Sequence, residues 1–168
     1  MYDNTALIQQ SILHGRHGKV TTVEQARRLA VQLYWNQRLQ ASLAGLRSLC
    51  NGRRRHLQSV EEIAQTAVTG RRELGIRTIP LNQVIGSEGR VNDFDADFRP
   101  LRTHNIDRWI GIAAARHMGA VLPPVTLIQI GNAYFVRDGN HRISVARALG
   151  QVDMEAHVTL WQTADGGR

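Results

Sequence analysis

The sequence predicts an α+β fold in which an N-terminal helical region precedes a small mixed sheet. Three observations predict it. Residues 1–75 contain no proline and carry apolar residues at helical spacing. From residue 76 onward, short β-branched runs alternate with helical stretches. Charge divides at the same place: residues 1–75 hold 11 bases and 5 acids, whereas residues 76–168 hold 10 and 9. The expected organisation is therefore a basic helical region over 1–75, a mixed-sheet domain over 76–162 and a loose tail over 163–168.

Taken in order, Asn4 caps a short first helix carrying Leu7, Ile8 and Ile12, and 14–19 reads as a Gly-containing loop. Thr21-Thr22-Val23-Glu24 has capping-box spacing and opens a long helix. Ala26, Leu29, Ala30, Leu33, Leu39, Leu43, Leu46 and Cys50 fall near one stripe of it, and Asn51-Gly52 stops it. A second capping box, Ser59-Val60-Glu61-Glu62, starts another helix with Ile63, Ala64, Ala67 and Val68 on one face. This half reads as a helical hairpin or small bundle.

In the second half, 76–81 reads as a strand entering a turn at Gly86-Ser87-Glu88-Gly89. A helix follows over 105–117, with Ile106, Trp109, Ile110 and Ala113 inward and Gly119 ending it. Pro123-Pro124 breaks the chain, and strands over 125–130 and 133–136 flank the turn Gly131-Asn132. A second turn at Asp138-Gly139-Asn140-His141-Arg142 leads into a helix through Leu149 that Gly150 closes, and 154–161 is a last strand.

Composition excludes several classes. With 42% apolar and 21% charged residues over 168 positions, the chain is globular and can bury a core without disulfides. No apolar run approaches the ~20 residues a membrane-spanning helix needs. Met1-Tyr2-Asp3-Asn4 lacks the charge pattern of a signal peptide. One cysteine, Cys50, permits neither an internal disulfide nor a thiolate metal cage, so a reducing cytoplasm is the expected home. Of the 21 bases, all but Lys19 are arginine, and their concentration in the first half permits binding to a polyanion.

The strongest chemical constellation is the strand–turn–helix around Asp138 to Ser144. Gly139 lets the backbone turn at positive φ and keeps side chains away from a ligand. The N–H groups opening the helix, with its dipole, favour an anion, and Arg142 adds a planar donor suited to phosphate oxygens. Asn140 and His141 supply further hydrogen bonds. The alternative is an ordinary capped helix whose Asp138 satisfies backbone donors.

Residues 124–158 resemble the core of the ParB/sulfiredoxin-like superfamily: a proline-led strand, a Gly turn, a strand ending in Asp138-Gly139-x-x-Arg142, a small-residue helix ending in Leu149-Gly150, and a final strand. Ile79-Pro80-Leu81-Asn82-Gln83-Val84 resembles the family's first strand, so the likeness extends over about 77–161. It implies phosphate binding at the G-x-x-R turn by Gly139, Asn140, His141 and Arg142, with Arg90 after the first strand as a further contact, and Asp138 and Ser144 of the same turn complete the candidate set. The implied ligand is a nucleotide (CTP, ATP or ADP) with Mg2+. Sulfiredoxins carry a reactive cysteine where Asn140 stands, so their chemistry is excluded. A ParB-type centromere clamp is not expected either, because few residues follow the last strand.

The leading expectation is thus a nucleotide- or phosphate-binding protein. A phosphotransferase or nucleotide hydrolase, free-serine-kinase-like or nuclease-like, is the alternative, with Glu88 as base in the region where kinase relatives carry theirs. A non-catalytic adaptor is the third. Arg53-Arg54-Arg55-His56 is the densest basic run and suits a DNA or RNA backbone, without sequence-specific readout. Tyr34-Trp35 reads as core. Asp93, Asp95 and Asp97 alternate, so an extended segment would place them on one side, but the sixth and twelfth positions rule against an EF-hand loop. His14 and His17 lack a companion ligand, and no metal site is expected.

Overall fold

The computed structural model describes residues 22–51, 55–63 and 68–164. The expected first helix and loop 14–19 lie outside them, as do Arg53, Arg54 and the end of the tail. An N-terminal helix, α1 (Val23–Asn51), precedes a six-stranded mixed sheet, so the α+β class holds. The remaining elements are β1 (Gln58–Ser59), α2 (Val60–Ile63), β2 (Val68–Pro80), β3 (Val84–Ser87), α3 (Ile106–His117), β4 (Val125–Ile130), β5 (Ala133–Asp138), α4 (Asn140–Ala148) and β6 (Asp153–Thr163).

The strands lie in the order β1-β3-β5-β4-β6-β2. Neighbours β1/β3, β3/β5 and β4/β6 run parallel, while β4/β5 and β2/β6 run antiparallel. The hairpin expected around Gly131-Asn132 forms with Ile130 opposite Ala133. Alternation along the strands builds a core on each face. Val125, Leu127, Val136, Ala156 and Val158 meet Ile143 and Ala146 of α4 together with Phe94 and Phe98. Ile128, Ile130, Phe135 and Trp161 meet Val60 on the other face. Outside α4, α3 joins α1 through Ala30, Tyr34, Trp109, Ile110, Ala113 and Val145.

Several expectations need correction. The cap of α1 is a reciprocal pair between Thr22 and Gln25, with Gln25 N donating to Thr22 Oγ1 at 3.2 Å and Thr22 N to Gln25 Oε1 at 3.1 Å. The expected box opens at Thr21, which lies outside the described residues. Of the second expected helix, the described residues show one turn, α2, whose Ser59 Oγ accepts from Glu61 N rather than from the N–H of Glu62, while residues 64–67 lie outside the described residues. Val68, expected on a helix, opens β2, because pairing with β6 runs the length of the strand from Val68–Thr163 to Pro80–Asp153. That strand crosses the expected boundary between residues 75 and 76, so both expected parts contribute to one sheet. Gly86 and Ser87, expected in a turn, belong to β3. A Cβ at Gly86 would sit 2.3 Å from the Gln58 carbonyl oxygen and 2.5 Å from Phe135, so glycine there serves close approach.

The apolar stripe of α1 is also divided. Ala26, Ala30, Tyr34 and Ala41 are buried, whereas Leu29, Trp35, Leu39, Leu43 and Leu46 are exposed. Small alanines let α1 approach α3, and Tyr34 fills the space edge-on against Trp109 at 5.4 Å between ring centroids. Tyr34 is core as expected; Trp35 is not.

Candidate functional site

The turn from β5 into α4 stands where two parallel strands, β3 and β5, end side by side. Gly139 adopts φ 108° between Asp138 and the first helical residue, Asn140. Ile143 N donates to Gly139 O at 2.9 Å, closing the first helical turn. The N–H groups of Asn140, His141 and Arg142 precede the intrahelical ladder, and no side chain caps the helix. Asp138 does not cap it: its carboxylate accepts from Arg142 Nη2.

Two polar atoms at this end are buried without a hydrogen-bond partner, Asn140 Oδ1 and His141 Nδ1. Asn140 is only 7% exposed. The ring of His141 packs edge-on against Phe94 with centroids 5.3 Å apart. Burial first, then the positive charges of Arg108 and Arg90, pushes His141 down to about 4, so it is neutral at pH 7. His104 adds to that depression and Asp93 opposes it. Asp93 accepts from Arg90 Nη1 at 3.0 Å and has Arg102 and His104 at 3.8 Å. The start of α4 is therefore an uncapped helix end next to a cluster of basic side chains. Arg108 and His104 are missing from the sequence-derived set. No spacing signals them, since α3 and its approach reach α4 only through tertiary packing.

The other expected residues are placed differently. Arg142 Nη1 donates to the carbonyls of Pro123 at 2.8 Å and Pro124 at 2.9 Å while Nη2 pairs with Asp138, and burial lowers its pKa. Its guanidinium clamps the loop before β4 to the start of α4. Ser144, 2% exposed, accepts from Trp109 Nε1 at 2.8 Å, so its hydroxyl offers no exposed oxygen to a phosphate. Glu88, at the end of β3, accepts from Arg137 Nε at 3.0 Å. Arg137 also lies 5.6 Å from the Trp161 ring centroid. Since Trp161 clusters with Phe135 and Val136 with Ile143, this ion pair sits on the sheet face opposite α4.

The aspartates do not line up along an extended segment. Asp95 is buried in a turn, where Oδ1 accepts from Asp97 N at 2.9 Å and Arg99 N at 2.8 Å. Burial raises its pKa against those stabilising contacts. Asp97 pairs with Arg99 and Asp93 with Arg90. Among the described residues, no group of three His, Cys, Asp or Glu side chains is arranged to hold a metal ion. Arg55 is exposed and lines a cleft of about 480 Å³ between α1 and residues 95–101. That cleft is lined by neither Gly139 nor His141. Among the described residues, no helix is long and apolar enough to cross a membrane.

No family model matches the chain, and no curated protein matches it. Among solved structures, sulfiredoxin from Arabidopsis thaliana is similar at 16% identity with a TM-score of 0.37, covering 49% of this chain and 82% of that one.

Proposed function

We propose that residues 77–161 form a ParB/sulfiredoxin-like domain that binds a phosphate-bearing ligand, a nucleotide such as CTP, ATP or ADP with Mg2+, at the start of α4. The observation that carries this reading is the uncapped N-terminus of α4, with His141 Nδ1 unpartnered and His141 under the positive charges of Arg108 and Arg90. Free N–H groups and the helix dipole favour an anion, and nearby guanidinium groups add charge-assisted donors. In this reading Gly139, Asn140 and His141 present the backbone, while Arg142 and Asp138 hold the helix start in place. A neutral His141 can donate or accept without adding charge.

The test is a calorimetric titration with CTP, ATP, ADP and inorganic phosphate, with and without Mg2+, on wild type and on Arg90→Ala and Arg108→Ala. Both arginines are exposed, so the variants should fold. Each should weaken binding about tenfold, the loss of one charge-assisted hydrogen bond. Absence of binding by every compound, or binding that neither variant changes, overturns the reading. The proposal extends to a DNA or RNA backbone through the basic first half, where Arg55, Arg71 and Arg72 are exposed.

A further inference from the structure

The outward face of α1 carries large apolar side chains where a surface helix ordinarily carries charge. Trp35 is 52% exposed, Leu39 61%, Leu43 47% and Leu46 64%. At 100° per residue they fall on one arc opposite Ala26, Ala30, Tyr34 and Ala41, the side that meets α3. Gln32, Asn36, Leu39, Leu43 and Leu46 follow one another at steps of four, three, four and three. This is the 3.5-residue repeat of a coiled-coil seam, with Asn36 and Leu43 at one core position and Gln32, Leu39 and Leu46 at the other.

We propose that this face pairs with the same face of a second copy of the chain, forming a parallel, in-register two-helix seam along α1. Charge supports a self-partner. The chain carries a net +7, yet no charged residue occupies the seam. In a parallel pair each flanking residue meets the one five positions on in the partner. The flanking pairs are then Arg28 with Leu33, Trp35 with Gln40, and Ser42 with Arg47, so no two like charges face each other. A polar Asn36 at a core position favours a fixed register and two strands over higher assemblies. Area supports it too. These side chains with Leu29 leave roughly 500 Å² of apolar surface exposed, at the upper end of patches on monomers. That is the greater part of the ~800 Å² per partner that stable interfaces bury, with Arg28, Gln40, Ser42 and Arg47 supplying a polar rim.

Sedimentation equilibrium of the full chain, from nanomolar to high micromolar protein, tests the pairing. The expected mass is twice the 18.8 kDa of one chain. Leu39→Glu and Leu43→Glu, each placing one buried carboxylate per copy in the seam, should raise the dissociation constant at least about a hundredfold. Both positions are exposed in the single chain, so circular dichroism at low concentration should match wild type. Asn36→Leu should retain association but admit larger species. A single-chain mass at high micromolar protein overturns the proposal, whether a different protein or residues 1–21 of the same chain cover the stripe. Folded Leu39→Glu and Leu43→Glu variants that associate as tightly as wild type overturn it equally.

Discussion

Replacing Gly139 by alanine tests how tightly the start of α4 is held. Two separate costs arise. At φ 108° an L-residue brings its Cβ against the backbone, a strain of about 1–2 kcal/mol. The added Cβ would also stand 2.5 Å from Val125 Cγ1 and 2.9 Å from Val125 Cβ, and Val125 is fully buried in the core under α4. Relieving that contact shifts β4 or α4, at about 1–3 kcal/mol for an overfilled site. Together the loss is about 2–5 kcal/mol, a large share of the ~5–15 kcal/mol a domain commonly has. Urea unfolding followed by circular dichroism should show the midpoint falling with an unchanged slope. Combining Gly139→Ala with Val125→Ala should relieve the contact with Cγ1 while keeping the Cβ contact and the backbone part, giving a coupling of about 1 kcal/mol or more. A Gly139→Ala protein within ~0.5 kcal/mol of wild type would refute both the backbone and the contact arguments. The same reasoning explains why variants of exposed Arg90 and Arg108, rather than of Gly139 or Arg142, are the informative probes of ligand binding.

Stability should also depend on pH through His141. Its pKa is about 4 in the fold against an ordinary 6.5, so between those values the unfolded chain binds a proton that the native chain does not. Stability therefore falls as pH drops through that window, by about 2 kcal/mol at pH 5 relative to neutrality. His141→Gln should lose this part of the difference between pH 7 and pH 5; an unchanged difference would show that His141 is not the group responsible. For the basic half, affinity for duplex DNA should fall steeply with salt and vary little with sequence. Replacing Arg53, Arg54 and Arg55 together by Ser should lower the log–log salt slope by about two to three. No binding at low salt, or an unaltered slope, would assign these arginines to a solvated surface.

What the sequence makes legible is what local chemistry decides. The β4–β5 hairpin follows from Gly131-Asn132 between two β-branched runs, and α4 from the Gly139 turn and Gly150. β2 is less legible because 60–68 carries helical spacing, and only long pairing with β6 converts Val68 to strand. A register shift between Glu73 and Gly75, with Gly75 at φ 73°, lets the strand continue past that irregularity. In α1 the apolar residues were visible but their side was not. Leucines and alanines share the helical period, and the fit of Ala30 and Tyr34 against Trp109 decides which face turns inward.

The candidate site divides along the same line. Gly139, Asn140 and His141 meet at one helix end because they are adjacent in the chain, so a motif finds them. Arg142 has two possible occupations that a motif does not separate, phosphate and protein carbonyls. In the fold its guanidinium serves Pro123, Pro124 and Asp138. Arg147 does the same further along α4, donating to the carbonyls of Leu81 at 2.5 Å and Val84 at 2.7 Å while lying 4.9 Å from the Phe98 ring centroid. Two arginines of one helix thus tie it to the loop before β4 and to the approach of β3. A planar fork of fixed donors suits paired carbonyls as well as it suits phosphate oxygens. The arginine of the G-x-x-R turn therefore positions the helix end, and in the proposed binding role the charges an anion would meet come instead from Arg90 and Arg108, whose positive charges act on His141 from outside the turn.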